Sequence, residues 1–176
     1  MTGSDIAVLL GFLAAAIALA GFAGIVTSID RGAAVASNEV ISFRVSNLVT
    51  AAVGAVLLSL LPVVLDALEL FQSSLWERCC VVFAVAISAL LFSLLSARRR
   101  MRGKDTGLSR SLFAANLTLG ALTFGVLVAG ASGAVAGRGA YFTGLSYLLY
   151  LMCTLFHRMV AMADAAASHA AKNKQS

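Results

Sequence analysis

The chain has 176 residues, of which 60% are hydrophobic and only 12% charged, with a mean hydropathy of +0.94. Soluble domains carry about one-quarter charged residues, so this chain lacks the charge to cover a water-facing surface, and lipid is its expected main solvent. The net charge of +5, which in a soluble protein would suggest an anionic partner, is here first a topology signal.

In chain order, five stretches approach the roughly 20 apolar residues that cross a bilayer core. The expected fold is an all-α polytopic bundle of five spans, because open sheet edges cannot be satisfied in lipid. The first span covers about 6–29. It resembles a secretory leader in its small residues, but "MTGSD" has no basic n-region, so a retained helix is expected. After it, Ser37 is a candidate helix cap with Glu39 in the first turn, which starts a helix near Asn38 that runs through the second span at about 48–67. Pro62 is expected to kink that helix.

The third span covers about 79–97. Trp76, Glu77 and Arg78 precede it, Cys79 and Cys80 begin it, and the basic stretch "SARRRMRGKDTGLSR", residues 96–110, follows at its inner end. The fourth covers about 112–136 and the fifth about 141–163. An Ala-rich tail, 164–176, extends the last helix and frays, so the spans form one domain over 1–163.

An outside amino terminus places Arg31, Arg44, Arg98, Arg99, Arg100, Arg102, Lys104, Arg110, Arg158, Lys172 and Lys174 inside, and only Arg78 and Arg138 outside. The reverse orientation would violate the positive-inside bias eleven to two. The amino terminus is therefore expected outside and the tail in the cytoplasm. Small size and the lack of eukaryotic sorting signals point to a bacterial inner membrane. The basic loop of Arg98, Arg99, Arg100, Arg102, Lys104 and Arg110 reads as a retention signal lying against anionic headgroups. It lacks the aromatic or helical readout residues that nucleic acid would require.

Small residues recur every four positions in span four, at Gly125, Ala129, Gly133 and Gly137. One continuous helix would stack them into a packing seam, either within the bundle or between copies. Ala16–Ala20–Gly24, Ala51–Ala55–Ser59 and Ala89–Ser93–Ala97 are shorter versions.

Chemistry-bearing residues are sparse. No ionisable residue falls near a midplane, where one would mark a transport or proton-relay site. Asp66, Glu69, Glu77 and Arg78 gather at the outer ends of spans two and three as an expected interfacial ion-pair cluster; a hard cation would need more oxygen ligands. Asp66 and Glu69, three apart, would share a helix face. His157 and His169 lie too far apart on one helix to clamp a haem, so no cofactor is expected, and His157 is expected to snorkel. Cys153 is expected as a buried filler.

Tyr141, Tyr147 and Tyr150, with Trp76, suit an outer aromatic belt. Asn47 and Asn116 are expected to bond between helices. No CxxC, HExxH, GxSxG or phosphate-loop pattern occurs. The leading expectation is a non-catalytic membrane protein acting as a packing or assembly partner. The alternatives are a homo-oligomeric channel or facilitator and a membrane thiol enzyme using Cys79 or Cys80.

Overall fold

A computed structural model describes residues 1–31, 39–70, 73–100 and 110–173. Among these the chain is all-helical: α1 Gly3–Arg31, α2 Glu39–Ala67, α3 Leu75–Arg100, α4 Arg110–Ala131 and α5 Gly137–Asn173. Each helix contains a stretch long and apolar enough to cross a membrane, at Gly3–Phe22, Ser46–Ala67, Leu75–Ser96, Leu112–Ala131 and Gly137–His157. Helix α2 is described from Glu39; the candidate cap Ser37 and the expected start near Asn38 lie outside the described residues. The tail stays helical to Asn173, which makes α5 about 55 Å long at 1.5 Å per residue.

The first helix begins with a capping box. The Thr2 backbone N–H donates to Asp5 Oδ2 at 3.0 Å, and the Asp5 N–H returns a bond to Thr2 Oγ1 at 3.4 Å. The Thr2 amide, which the helix start leaves without a backbone partner, is thereby satisfied, while the Asp5 N–H is shared between Thr2 Oγ1 and the Thr2 carbonyl at 3.1 Å.

Two helices end in the same way. At the end of α4, Gly133 takes φ +75°, its N–H bonds to the Gly130 carbonyl, and the Ala134 N–H reaches back to the Ala129 carbonyl. At the end of α2, Glu69 takes φ 55°, its N–H bonds to the Asp66 carbonyl, and the Leu70 N–H reaches the Leu65 carbonyl. Both are Schellman motifs. Glycine reaches that left-handed conformation without steric cost, whereas glutamate does not.

Helix α5 is the centre of the bundle. It packs against all four other helices; among the described residues α1 touches only α2 and α5, α4 touches only α3 and α5, and α2 meets α3. The four outer helices therefore form a crescent in the order α1–α2–α3–α4 with α5 in its hollow. The helix starts of α1, α3 and α5 and the ends of α2 and α4 share one end of the bundle, called here the starting end.

An aromatic cluster fills that end. Phe83 and Trp76 meet Tyr141 edge-on at centroid distances of 5.1 and 5.8 Å, Trp76 meets Phe142 at 5.7 Å, and Phe142 stacks on Phe12 at 6.5 Å. These contacts join α1, α3 and α5.

Candidate functional site

The expected outer polar cluster forms differently from its sequence reading. Asp5, which is not among the four residues expected there, is the buried member. It is 3% exposed and takes Arg138 Nη1 on its Oδ1 at 3.1 Å. The pair ties the first turn of α1 to the first turn of α5. The Met1 ammonium lies 3.3 Å from Asp66 Oδ1, which joins α1 to α2.

Glu69 and Glu77 are exposed. Glu69 leaves the helical path after Ala67, so it does not share a helix face with Asp66. Glu77 sits in the first turn of α3, where its charge suits the helix dipole, and Arg78 is exposed in the same turn. The T-x-x-D spacing of Thr2 and Asp5 was the available signal for the buried acid. Its partner Arg138, 133 positions along the chain, has no local signal.

The span-four stripe is overturned as a single helix face. The helix stops at Ala131, Gly133 occupies the left-handed cap, and Gly137 opens α5. Gly125 is exposed, and a Cβ there would meet nothing within 4 Å. The close approaches lie on another face of α4. A Cβ on Gly130 would come within 2.6 Å of Ala140 Cβ and 3.2 Å of Cys80 Sγ, and one on Gly120 within 2.6 Å of Tyr147 Oη. Gly120, Thr123, Leu127 and Gly130 are all buried, at spacings of three and four.

From α5, Gly144 admits the Phe83 ring, where a Cβ would stand 2.7 Å from a ring carbon, and Gly137 sits against the Trp76 backbone. Of the shorter stripes, Ala51–Ala55–Ser59 is wholly interior, while Ala89 and Ser93 face outward.

The aromatic-belt expectation fails for two tyrosines. Tyr141 and Tyr147 are buried, and their hydroxyls donate to backbone carbonyls, Tyr141 to Leu58 and Tyr147 to Asn116 at 3.2 Å. Pro62 is buried inside α2 and has no N–H to give the Leu58 carbonyl four residues earlier. Tyr141 supplies the missing donor from α5. The Ser59 hydroxyl and Asn116 Oδ1 are buried without a partner.

The neighbouring Cys79 and Cys80 are free thiols with no exposed surface, and Cys80 Sγ donates to the Gly137 carbonyl at 3.3 Å. Cys153, expected as a buried filler, is exposed. In the basic loop, Arg99 is exposed; Arg98 and Arg100 stand on the last turn of α3, and Arg110 starts α4. Arg102 and Lys104 lie outside the described residues.

Among the described residues the crescent leaves one face of α5 uncovered between Gly139 and His157. Its positions are Gly139, Thr143, Ser146, Tyr150, Cys153 and His157, alternating by four and three, and all six are exposed. The side chains that meet α4, α3, α2 and α1 lie on the other faces of the helix: Tyr147 and Ala140, then Gly144, then Tyr141, then Arg138 and Phe142. Thr143 Oγ1 donates to the Gly139 carbonyl and Ser146 Oγ to the Phe142 carbonyl, both at 2.9 Å, so these hydroxyls enter an apolar setting already bonded. By contrast, the outward face of α2 is Val49, Val53, Leu57, Leu60 and Val64.

No protein-family model, curated protein or solved structure matches the chain.

Proposed function

We propose that this is a five-span integral membrane protein, amino terminus outside and tail cytoplasmic, that acts without catalysis as a self-assembling packing partner. The uncovered face of α5 carries the reading. Among the described residues, a central helix enclosed by four others presents one strip, and its first part, Gly139, Thr143 and Ser146, is small and hydroxylated where α2 presents valine and leucine. In lipid, aliphatic side chains are as well placed outside as inside, whereas small and hydroxyl residues gain by close helix contact.

Membrane insertion is supported by the outward exposure of large apolar side chains such as Leu57 at 62% and Phe92 at 72%, which water would penalise by roughly 1.5–3 kcal/mol per side chain. The end opposite the starting end carries Arg99 and suits an anionic leaflet. The full burial of Cys79 and Cys80 withdraws support from a thiol enzyme. The same strip would line the lumen if several copies closed a ring, so a facilitator is the second reading.

The test is a cysteine at Ser146 in a Cys153→Ser background, oxidised in native membranes. A disulfide-linked dimer is expected from this position and none from Leu57→Cys. No dimer at 146, or equal yields at both positions, overturns the reading. Solute flux through liposomes holding the purified chain, above empty-vesicle leak, would favour the facilitator.

A further inference from the structure

Helices α3 and α5 both begin at the starting end and run side by side in register. A Cβ on Gly137 would stand 3.1 Å from Trp76 Cβ, and one on Gly144 would stand 2.7 Å from the Phe83 ring. Both contacts pair an α5 residue with the α3 residue 61 positions earlier in the chain, so the offset between the helices does not change from one to the next.

The charges follow the same register. Residues 79–97 of α3 and 139–157 of α5 are both 19-residue runs without Asp, Glu, Lys or Arg. Each run is bounded by arginine at both ends, Arg78 and Arg98 on α3, Arg138 and Arg158 on α5. In parallel helices held in register, the two starting arginines fall at one level and the two closing ones at another. At 1.5 Å per residue these levels stand about 30 Å apart. Arg138 also holds Asp5 at 3.1 Å, which brings the first turn of α1 to the starting level. Between the levels α3 turns Val85 and Phe92 outward, 64% and 72% exposed.

We propose that α3 and α5 act as a ruler that fits this protein to a bilayer with a hydrocarbon core of about 30 Å, with an arginine pair at each interface. The inference rests on the membrane insertion proposed above, adds the thickness of the lipid partner, and is independent of self-assembly. A single helix tilts to fit a thinner core. Two equal runs locked side by side tilt only as one body, and they carry α1 with them through Asp5. A thicker core instead draws arginine into hydrocarbon at one level or the other, which is costly. Arginine stems reach toward the headgroups, so the match is broadened but not abolished.

The experiment reconstitutes the full chain in phosphatidylcholine vesicles with monounsaturated acyl chains of about 14 to 22 carbons, a series that spans thin to thick cores. Insertion is read by flotation and resistance to alkaline extraction, and stability by the thermal unfolding midpoint. The highest midpoint is expected near about 18 carbons, with a fall on both sides. Leu95→Arg places a charge on the outward side of α3 one turn before Arg99 and should move the maximum to shorter chains by about two carbons or more. The double variant Arg98→Leu/Arg99→Leu lengthens the run and should move it to longer chains. A midpoint indifferent to chain length in a chain that inserts, or a maximum that neither variant moves, overturns the ruler and leaves membrane insertion standing. A wild-type chain extracted by alkali from every vesicle overturns both.

Discussion

The hydroxyl of Tyr141 donates to the Leu58 carbonyl that Pro62 leaves without a helical partner. Proline inside a helix removes one N–H, and the carbonyl four residues earlier is stranded. In a buried setting an unmet carbonyl costs about 1–3 kcal/mol. Tyr141→Phe should therefore destabilise the bundle by about that amount in a Pro62 background. In Pro62→Ala, where position 62 regains a backbone N–H to serve the carbonyl, the same change should cost less. Unfolding in detergent for all four members of the cycle measures the coupling, and equal costs in both backgrounds would refute the pairing.

Two glycines of α4 should respond oppositely to one methyl group. Gly125→Ala puts a Cβ into open space and improves helix propensity, so it should stabilise by about 0.5–1 kcal/mol. Gly130→Ala drives a Cβ to within 2.6 Å of Ala140 Cβ and should destabilise by about 1–3 kcal/mol. The sign difference in thermal unfolding distinguishes the observed packing face from the four-residue stripe, which would make Gly125 the sensitive position.

Glu69 occupies a helix cap where glycine is at ease. Glu69→Gly should stabilise by up to about 1 kcal/mol, the relief of left-handed strain net of the entropy that glycine adds to the unfolded chain. Gly133→Ala at the matching cap of α4 should destabilise by about 1 kcal/mol. The strain is in the backbone, because the nearest atom to the new Cβ is Glu77 Oε1 at 3.6 Å. Denaturant midpoints of the two variants should move in opposite directions.

Asp5 is buried, while its partner Arg138 is 55% exposed. Solvent screening discounts the Coulomb part of such a pair, but Asp5 also closes the capping box. Asp5→Ala should thus cost about 1–2 kcal/mol, as the cap and the pair are lost together. Arg138→Gln should cost about 0.5–1 kcal/mol, because Asp5 keeps its backbone donor from Thr2. The reverse order, read by urea unfolding in micelles, would show that the ion pair dominates the cap.

Orientation is checked by single cysteines in a cysteine-free background, one replacing Gly103 in the basic loop and one replacing Ala134 in the exposed turn between α4 and α5. Ala134 is preferred to Arg138, whose removal would disturb Asp5. An impermeant thiol reagent added to intact cells should label the cysteine at 134 and spare the one at 103. Labelling of both contradicts the proposed topology.

The number and approximate placement of the helices were legible in the sequence because about 20 consecutive apolar residues are a local property that needs no partner. The charge asymmetry is likewise a count along the chain. The side of each helix that faces inward was not legible. The repeats Gly125–Ala129–Gly133–Gly137 and Ala51–Ala55–Ser59 have the same spacing, yet only the second lies wholly inside one helix and packs in the interior. In a chain this uniformly apolar, hydropathy does not separate an inward face from an outward one. The remaining relationships belong to the tertiary structure alone. Asp5 meets Arg138 and Pro62 relies on Tyr141 only because α5 lies in the hollow of the crescent. That same placement decides that Tyr141 and Tyr147 are buried, while Cys153 and His157 stand on a face of α5 that the other described residues do not cover.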